Sequence, residues 1–208
     1  MNLYPICLKL ENIPCLVIGG GTVALRKVRA LLKSGAKVTI VSPRLCPGLR
    51  KLEQKKAFEY LRGTYKKTFL KNILLVISAA DEPQVNAAAG RDAASKRLWV
   101  NVVDDPDASN FYVPAVMERH SLLIAISTQG NFPGLSKKIR QECRPLIERY
   151  ARNLKTLGRL RQEVKRVCRR KGEKQLLLKK LLDPQVLLLI EKKRIRGVPD
   201  LRKYVCGN

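Results

Sequence analysis

The amino-acid sequence predicts an α/β protein with a parallel sheet in its N-terminal half, a small central segment and a helical C-terminal region. Three observations carry that prediction. Short apolar, β-branched runs alternate with segments of helical spacing across residues 15–104. Three consecutive glycines, Gly19-Gly20-Gly21, join the first apolar run to the first helical segment. After Pro114 the alternation stops, and from Arg152 onward the sequence is basic, leucine-rich and helical in spacing.

The elements follow in order. CLVIG, 15–19, is short, apolar and β-branched, as a strand buried on both faces should be. TVALRKVRALLKS, 22–34, carries apolar residues at 23, 24, 28, 31 and 32, which is helical spacing, and Gly35 ends it. KVTIVSP, 37–43, is a second strand closed by Pro43, and LEQKKAFEYLRGTY, 52–65, holds a helix end and a short strand. NILLVISAA, 72–80, is another buried strand. DEPQVNAAAGRDAASKR, 81–97, is a helix with Pro83 in its first turn, and LWVNVVD, 98–104, is a further strand. Buried strands alternating with helices imply a parallel sheet covered on both faces. Beyond it, LLIAIST is a strand and a helix is expected over about 134–150. Boundaries are therefore expected near 113 and 150, dividing the chain into 1–113, 114–149 and 150–208.

Composition narrows the function. The 208 residues contain 45% apolar residues, enough for a core and too many for global disorder. Lys and Arg number 42 against 17 Asp and Glu, a net charge of +25, so an anionic partner is expected: nucleic acid, a membrane surface or a polycarboxylate. Residues 151–208 alone carry +13. Six scattered cysteines without a CxxC pair and a single histidine argue against a zinc site and a disulfide framework, and suit thiols in a reducing cytosol. No charged stretch followed by an apolar run marks a signal peptide, and the longest apolar run is too short to span a membrane. A cytoplasmic protein without membrane contact is expected.

Gly19-Gly20-Gly21-Thr22-Val23-Ala24 fits G-x-G-x-x-G/A, and it lies between a buried strand and a helix, the context that gives the motif meaning. The first glycine permits the tight turn, the Gly21 backbone admits a pyrophosphate, and Ala24 lets the helix lie close to the strand. This is the Rossmann-type dinucleotide site. The second strand lacks the acid that would bind a ribose hydroxyl; it ends Val41-Ser42-Pro43-Arg44. Arg44 suits a 2′-phosphate and Ser42 suits a ribose hydroxyl, so residue chemistry leaves NAD and NADP open. Asp104, Asp105 and Asp107 crowd the end of a buried strand, where open α/β sheets place their chemistry and where an aspartate serves as a general base or as a turn cap. His120 is expected at the surface, Trp99 and Phe132 in the core, and KRVCRRKGEKQ on a solvated helix face.

Taken in order, GGGTVALRK, VSP, NVVDDPDASNFYVPA and AISTQGNFPGLSKKIR resemble precorrin-2 dehydrogenase, the dehydrogenase/ferrochelatase module of siroheme synthases, over residues 3–145. The resemblance implies a Rossmann-type domain over 1–113, a dimerisation segment over 114–149 and a basic helical domain over 150–208, assembled as an intertwined homodimer. It implies NAD rather than NADP, and oxidation of precorrin-2 to sirohydrochlorin. In some members of the family the same site then inserts Fe²⁺. Asp104 falls on the family's key acid; Gly19, Gly20, Gly21, Thr22, Val23, Ser42, Pro43 and Arg44 fall on the cofactor site; Ser127, Thr128 and Asn131 fall on a substrate-contacting loop. That loop departs from the family's Ser-Thr-Gly-Gly pattern, since Phe132 stands where a hydroxyl usually precedes the proline. Precorrin-2 bears eight carboxylates, which accounts for the positive charge without nucleic acid. The tail lacks interleaved aromatics and any nucleic-acid motif. Nothing in the sequence resembles a methyltransferase, so another protein is the expected source of precorrin-2.

Overall fold

A computed structural model describes residues 3–207, which fall into two compact units divided between Val113 and Pro114. The first is built on five parallel strands: β1 (Pro14–Ile18), β2 (Lys37–Ser42), β3 (Glu59–Arg62), β4 (Leu75–Ser78) and β5 (Trp99–Val102). They lie in the order β3-β2-β1-β4-β5. Cys15 stands opposite Val38 on one side and Leu75 on the other, so β1 is central and the chain reverses its winding between β1 and β4. Helices α1 (Thr22–Lys33), α2 (Pro47–Gln54) and α3 (Pro83–Ser95) cover the sheet.

The central strands β1 and β4 form where the sequence is apolar without alternation, because both faces are covered: β4 is buried at all four positions. On α1, Ala24, Val28 and Leu31 are the buried residues, one stripe of helical period. One sheet face packs Val17, Val28, Ile40 and Ile77 together, and the other packs Leu16, Val41, Val76 and Val100. The outer edge of β5 is met by the following loop rather than by a sixth strand. Val100 N–H donates to Asn110 Oδ1 at 2.8 Å, and Val102 N–H donates to Ser109 Oγ at 2.9 Å. These bonds satisfy edge amides and fold residues 103–110 back over the end of β5.

The second unit opens with an antiparallel hairpin, β6 (Ala115–Arg119) and β7 (Leu122–Ile126), followed by α4 (Pro133–Glu142), α5 (Arg144–Val167), α6 (Lys171–Lys180), α7 (Pro184–Glu191) and α8 (Val198–Cys206). Five α-helices here and three in the first unit make eight among the described residues, beside one short 3-10 helix at Lys67–Leu70. Along α5, Ile147, Ala151, Leu160 and Val164 are buried. The last two join Leu177, Val186, Ile190 and Leu201 in one core.

Four expectations need correction. The strand at LLIAIST has a partner, β6, that sequence reading missed, and His120 forms the turn between them with φ +50°. The boundary expected near 150 falls inside α5, a 24-residue helix; the break lies at Cys143, before Pro145, and α5 runs on unbroken because its apolar stripe continues. Trp99 is 38% exposed, with its ring edge-on to Phe111 at 6.4 Å, and Phe132 is 64% exposed at the start of α4. Neither is a core residue, because the first residue of a strand and the cap of a helix both lie at element ends. His120 is exposed, as the sequence suggested.

Candidate functional site

The carboxyl ends of β1 and β4 flank the point where the sheet reverses its winding, and open α/β sheets bind ligands there. Gly19 leaves β1 with φ +113°, in the left-handed region, and its amide donates to Val41 O at 2.9 Å. A Cβ at Gly19 would run into the Ala79 carbonyl, and one at Gly20 into the Arg44 carbonyl. These two glycines let the loops after β4 and β2 close against the turn. Gly21 differs: its φ of −82° suits any residue, and a Cβ there would meet nothing within 4 Å. The space beside Gly21 is therefore open toward solvent.

Two cavities share that space. One, of about 570 Å³, runs over the ends of β1, β2 and β3 and is lined by Gly19, Gly20, Gly21, Ser42, Pro43 and Arg44, with Tyr65, Asp81 and Glu82 opposite. The other, of about 610 Å³, lies over β1, β4 and β5 and is lined by Gly21, Thr22, Val23, Ala80, Asp81, Asn86, Asp104 and Asp105. The structure thus brings the predicted glycines, Thr22, Val23, Ser42, Pro43, Arg44 and Asp104 to one continuous edge of the sheet. Gly21 is the N-cap of α1, no side chain bonds the helix's first amides, and no acid lies in its first turn. Free amides and the positive end of the helix dipole suit a pyrophosphate. The open position at Gly21, with a cavity on each side, fits an extended dinucleotide.

The individual side chains have defined settings. Ser42 is buried, and its hydroxyl donates to Arg44 O at 2.8 Å, bending the loop that carries Pro43 and Arg44, both exposed. Cys46 N–H donates to Gly20 O at 2.8 Å and ties the same loop to the glycine turn. Asp104 is exposed, two residues beyond β5, with φ +60°. Asp105 is a turn cap: its Oδ1 accepts Ala108 N–H at 3.0 Å. Asp107 is exposed. Ser127, Thr128 and Asn131 belong to the second unit, on the loop before α4. There Ser127 Oγ accepts Gln129 N–H at 3.0 Å, Thr128 Oγ1 accepts Phe132 N–H at 3.3 Å, and Asn131 is exposed. Among the described residues, no group of three His, Cys, Asp or Glu is placed to hold a metal ion.

Sequence reading missed Asn86. Its Oδ1 accepts Ser78 Oγ–H at 2.7 Å and Ala80 N–H at 3.0 Å, and its Nδ2 donates to Ala80 O at 2.9 Å. That clasp shapes the loop after β4, which forms a wall of both cavities. An asparagine one turn into a helix that follows SAADEP was the available signal.

Parallel strands in the order 3-2-1-4-5 with a glycine turn at the reversal define a Rossmann-type nucleotide-binding protein. The model of an NAD(P)-binding family matches residues 6–115, more than half of the chain. The chain belongs to this NAD(P)-binding family. Among curated proteins it is 41% identical over 147 residues to siroheme synthase of Chromobacterium violaceum, covering 71% of this chain and 31% of that protein. It is 37% identical over 183 residues to siroheme synthase 3 of Aeromonas hydrophila, covering 88% and 39%. The chain thus spans about a third of the length of such relatives. Among solved structures it is similar to SirC, precorrin-2 dehydrogenase, with a TM-score of 0.80 and 28% identity, covering 97% of this chain and all of that one. The motif resemblance to the precorrin-2 dehydrogenase module of siroheme synthases is shown by these matches.

Proposed function

We propose that this chain is an NAD-dependent precorrin-2 dehydrogenase that oxidises precorrin-2 to sirohydrochlorin. The observation that carries the reading is the sharing of one cavity by Gly21, the start of α1 and Asp104. NAD⁺ supplies a hydride acceptor when bound. Gly21, Thr22 and Val23 hold its pyrophosphate at the α1 amides, while Ser42, Pro43 and Arg44 form the wall for the adenosine half. The substrate gives up a hydride and a proton, and Asp104 is the base that takes the pyrrolic proton. The loop at Ser127, Thr128 and Asn131 contacts the substrate, and the exposed Phe132 ring offers its face to the macrocycle. The similarity to SirC over nearly the whole chain supports the substrate.

The test is anaerobic incubation of the purified protein with NAD⁺ and precorrin-2, followed by the absorbance of NADH and of sirohydrochlorin. Formation of both in equal amounts is expected. No turnover in folded, NAD⁺-binding protein overturns the reading. Insertion of Fe²⁺ as a second substrate is favoured by one feature: chelation requires loss of two pyrrolic protons, and Asp81 and Asp105 line the cavity beside Asp104. Addition of Fe²⁺ to the same assay tests it through the siroheme spectrum.

The segment 114–149 mediates a homodimer in this reading. Its support is the outward face of the hairpin, where Val116, Leu123 and Ala125 are exposed, with exposed Leu146 and Tyr150 on α5. Helices α5 to α8 then form the basic helical part of the second unit. The setting is the cytoplasm: all six cysteines are unpaired, and among the described residues no helix is long and apolar enough to cross a membrane.

A further inference from the structure

Gly21, Ala80 and Asp81 line both cavities. A dinucleotide laid across the two therefore passes between the glycine turn on one side and the loop after β4 on the other. The width of that passage depends on how the loop is seated. Ala79 N–H donates to Ile18 O at 2.8 Å, at the foot of the loop. The next residue, Ala80, gives both its backbone polar groups to one side chain, Asn86. Ala80 N–H donates to Asn86 Oδ1 at 3.0 Å, and Asn86 Nδ2 donates to Ala80 O at 2.9 Å.

The amide fits only one way round, since an N–H can only donate and a carbonyl can only accept. Ser78 holds it there. Its hydroxyl donates to the same Oδ1 at 2.7 Å, and Ser78 is fully buried at the end of β4 and lines neither cavity. Asn86 itself is the fourth residue of α3 and is half-buried. The chain of contacts thus runs from the sheet through Ser78 and Asn86 to Ala80, and Gly19 leaves the room in which the loop closes on the turn.

We propose that Asn86 is a positioning residue for the cofactor: by fixing Ala80 and Asp81 opposite Gly21, its amide forms the passage before the dinucleotide arrives. The inference rests on the cofactor site proposed above. A loop seated in advance spares its ordering cost on binding, whereas a released loop lowers the apparent affinity by the fraction of time it is seated. Asn86 also lines the second cavity, so the competing reading is a direct contact with the cofactor.

The test is calorimetric NAD⁺ titration and Tm of the full chain with Asn86→Ala, Asn86→Asp and Ser78→Ala, and with Gly21→Asp as the control for the site. Asn86→Ala weakens NAD⁺ binding on the order of tenfold, as for a loop seated about a tenth of the time. Ser78→Ala removes one donor to Oδ1 and weakens binding about two- to threefold. The double variant binds no more weakly than Asn86→Ala alone, because both act through one amide. Asn86→Asp keeps the acceptor for Ser78 and Ala80 N–H but sets its second oxygen against Ala80 O. Protonation restores a donor there, so its deficit relative to wild type shrinks as pH is lowered from about 8 to about 5.5.

Unchanged NAD⁺ affinity in folded Asn86→Ala overturns the proposal, including where Tm alone falls, which marks a purely structural clasp. Wild-type affinity in Ser78→Ala beside a loss in Asn86→Ala marks a direct contact and overturns it. An Asn86→Asp deficit that is constant with pH overturns it as well. A wild-type chain that binds no NAD⁺, or unchanged affinity in Gly21→Asp, overturns the cofactor site together with the proposal, and those two arms alone distinguish that case.

Discussion

Substitution of Gly21 by aspartate should move binding and stability in opposite directions. The Gly21 backbone is extended at φ −82°, and an added Cβ meets nothing within 4 Å, so the side chain enters without strain. It sits at the N-cap of α1, whose first amides lack a side-chain partner. An aspartate there interacts favourably with the helix dipole, by about 0.3–1 kcal/mol, and reduces the freedom of the unfolded chain relative to glycine by about 0.4–1 kcal/mol. Together these raise Tm by a few degrees in a chain of this size. The same carboxylate occupies the approach of the pyrophosphate. At a separation of about 5 Å and an effective dielectric constant of about 20, each pair of like charges costs roughly 3 kcal/mol. Allowing for screening, NAD⁺ affinity falls at least about 100-fold. Gly19→Ala is the contrast: φ +113° and the Ala79 carbonyl leave no room for a methyl group, so that variant loses stability. Calorimetric NAD⁺ titration and thermal unfolding of both variants read the two effects. Unchanged NAD⁺ affinity in folded Gly21→Asp refutes the cofactor assignment. A Tm loss as large as that of Gly19→Ala refutes the account of the turn.

Three further outcomes are expected. Asp104→Ala and Asp104→Asn keep NAD⁺ affinity and lose about 10²–10⁴-fold in turnover, whereas Asp105→Asn loses far less; asparagine tolerates the left-handed backbone at 104 better than alanine, so a larger kinetic loss at Asp105 than in Asp104→Asn would mean the base is misplaced. The net charge of +25 draws in a polycarboxylate, so kcat/KM at low substrate falls steeply with added salt while NAD⁺ affinity changes less, and a flat kcat/KM profile contradicts this role for the charge. Burial pushes the Cys15 thiol up to about 11, so it stays protonated and unreactive toward thiol reagents in native protein at pH 8, while exposed Cys7 and Cys206 react; because the folded value lies above the ordinary 9.0, its contribution to stability is full below about pH 9 and declines as pH rises toward 11 in denaturant titrations.

The sequence by itself determined the strands, the helices that cover them and the place of the glycine turn. Apolar runs such as LVI and helical spacing such as Ala24, Val28 and Leu31 are local patterns, and burial on both faces or one face writes them directly into the chain. The charge excess and the NVVDDP acids were legible for the same reason. What tertiary structure alone decided was everything that depends on residues far apart in the chain. Gly19 and Gly20 serve the approach of Ala79 and Arg44, which no window around the glycines contains. The clasp of Asn86, the covering of the β5 edge by Ser109 and Asn110, and the sharing of one cavity by Gly21 and Asp104 arise from the strand order. Strand β6 escaped notice because its residues, Ala115–Arg119, are too few and too mixed to show a period without their partner β7. The continuity of α5 through residue 150 was hidden because a basic helix exposed on most of its surface looks, in sequence, like a change of domain. Local periodicity records how one element meets water and core; pairing order and loop closure are set by contacts across the sheet, and those leave no local trace.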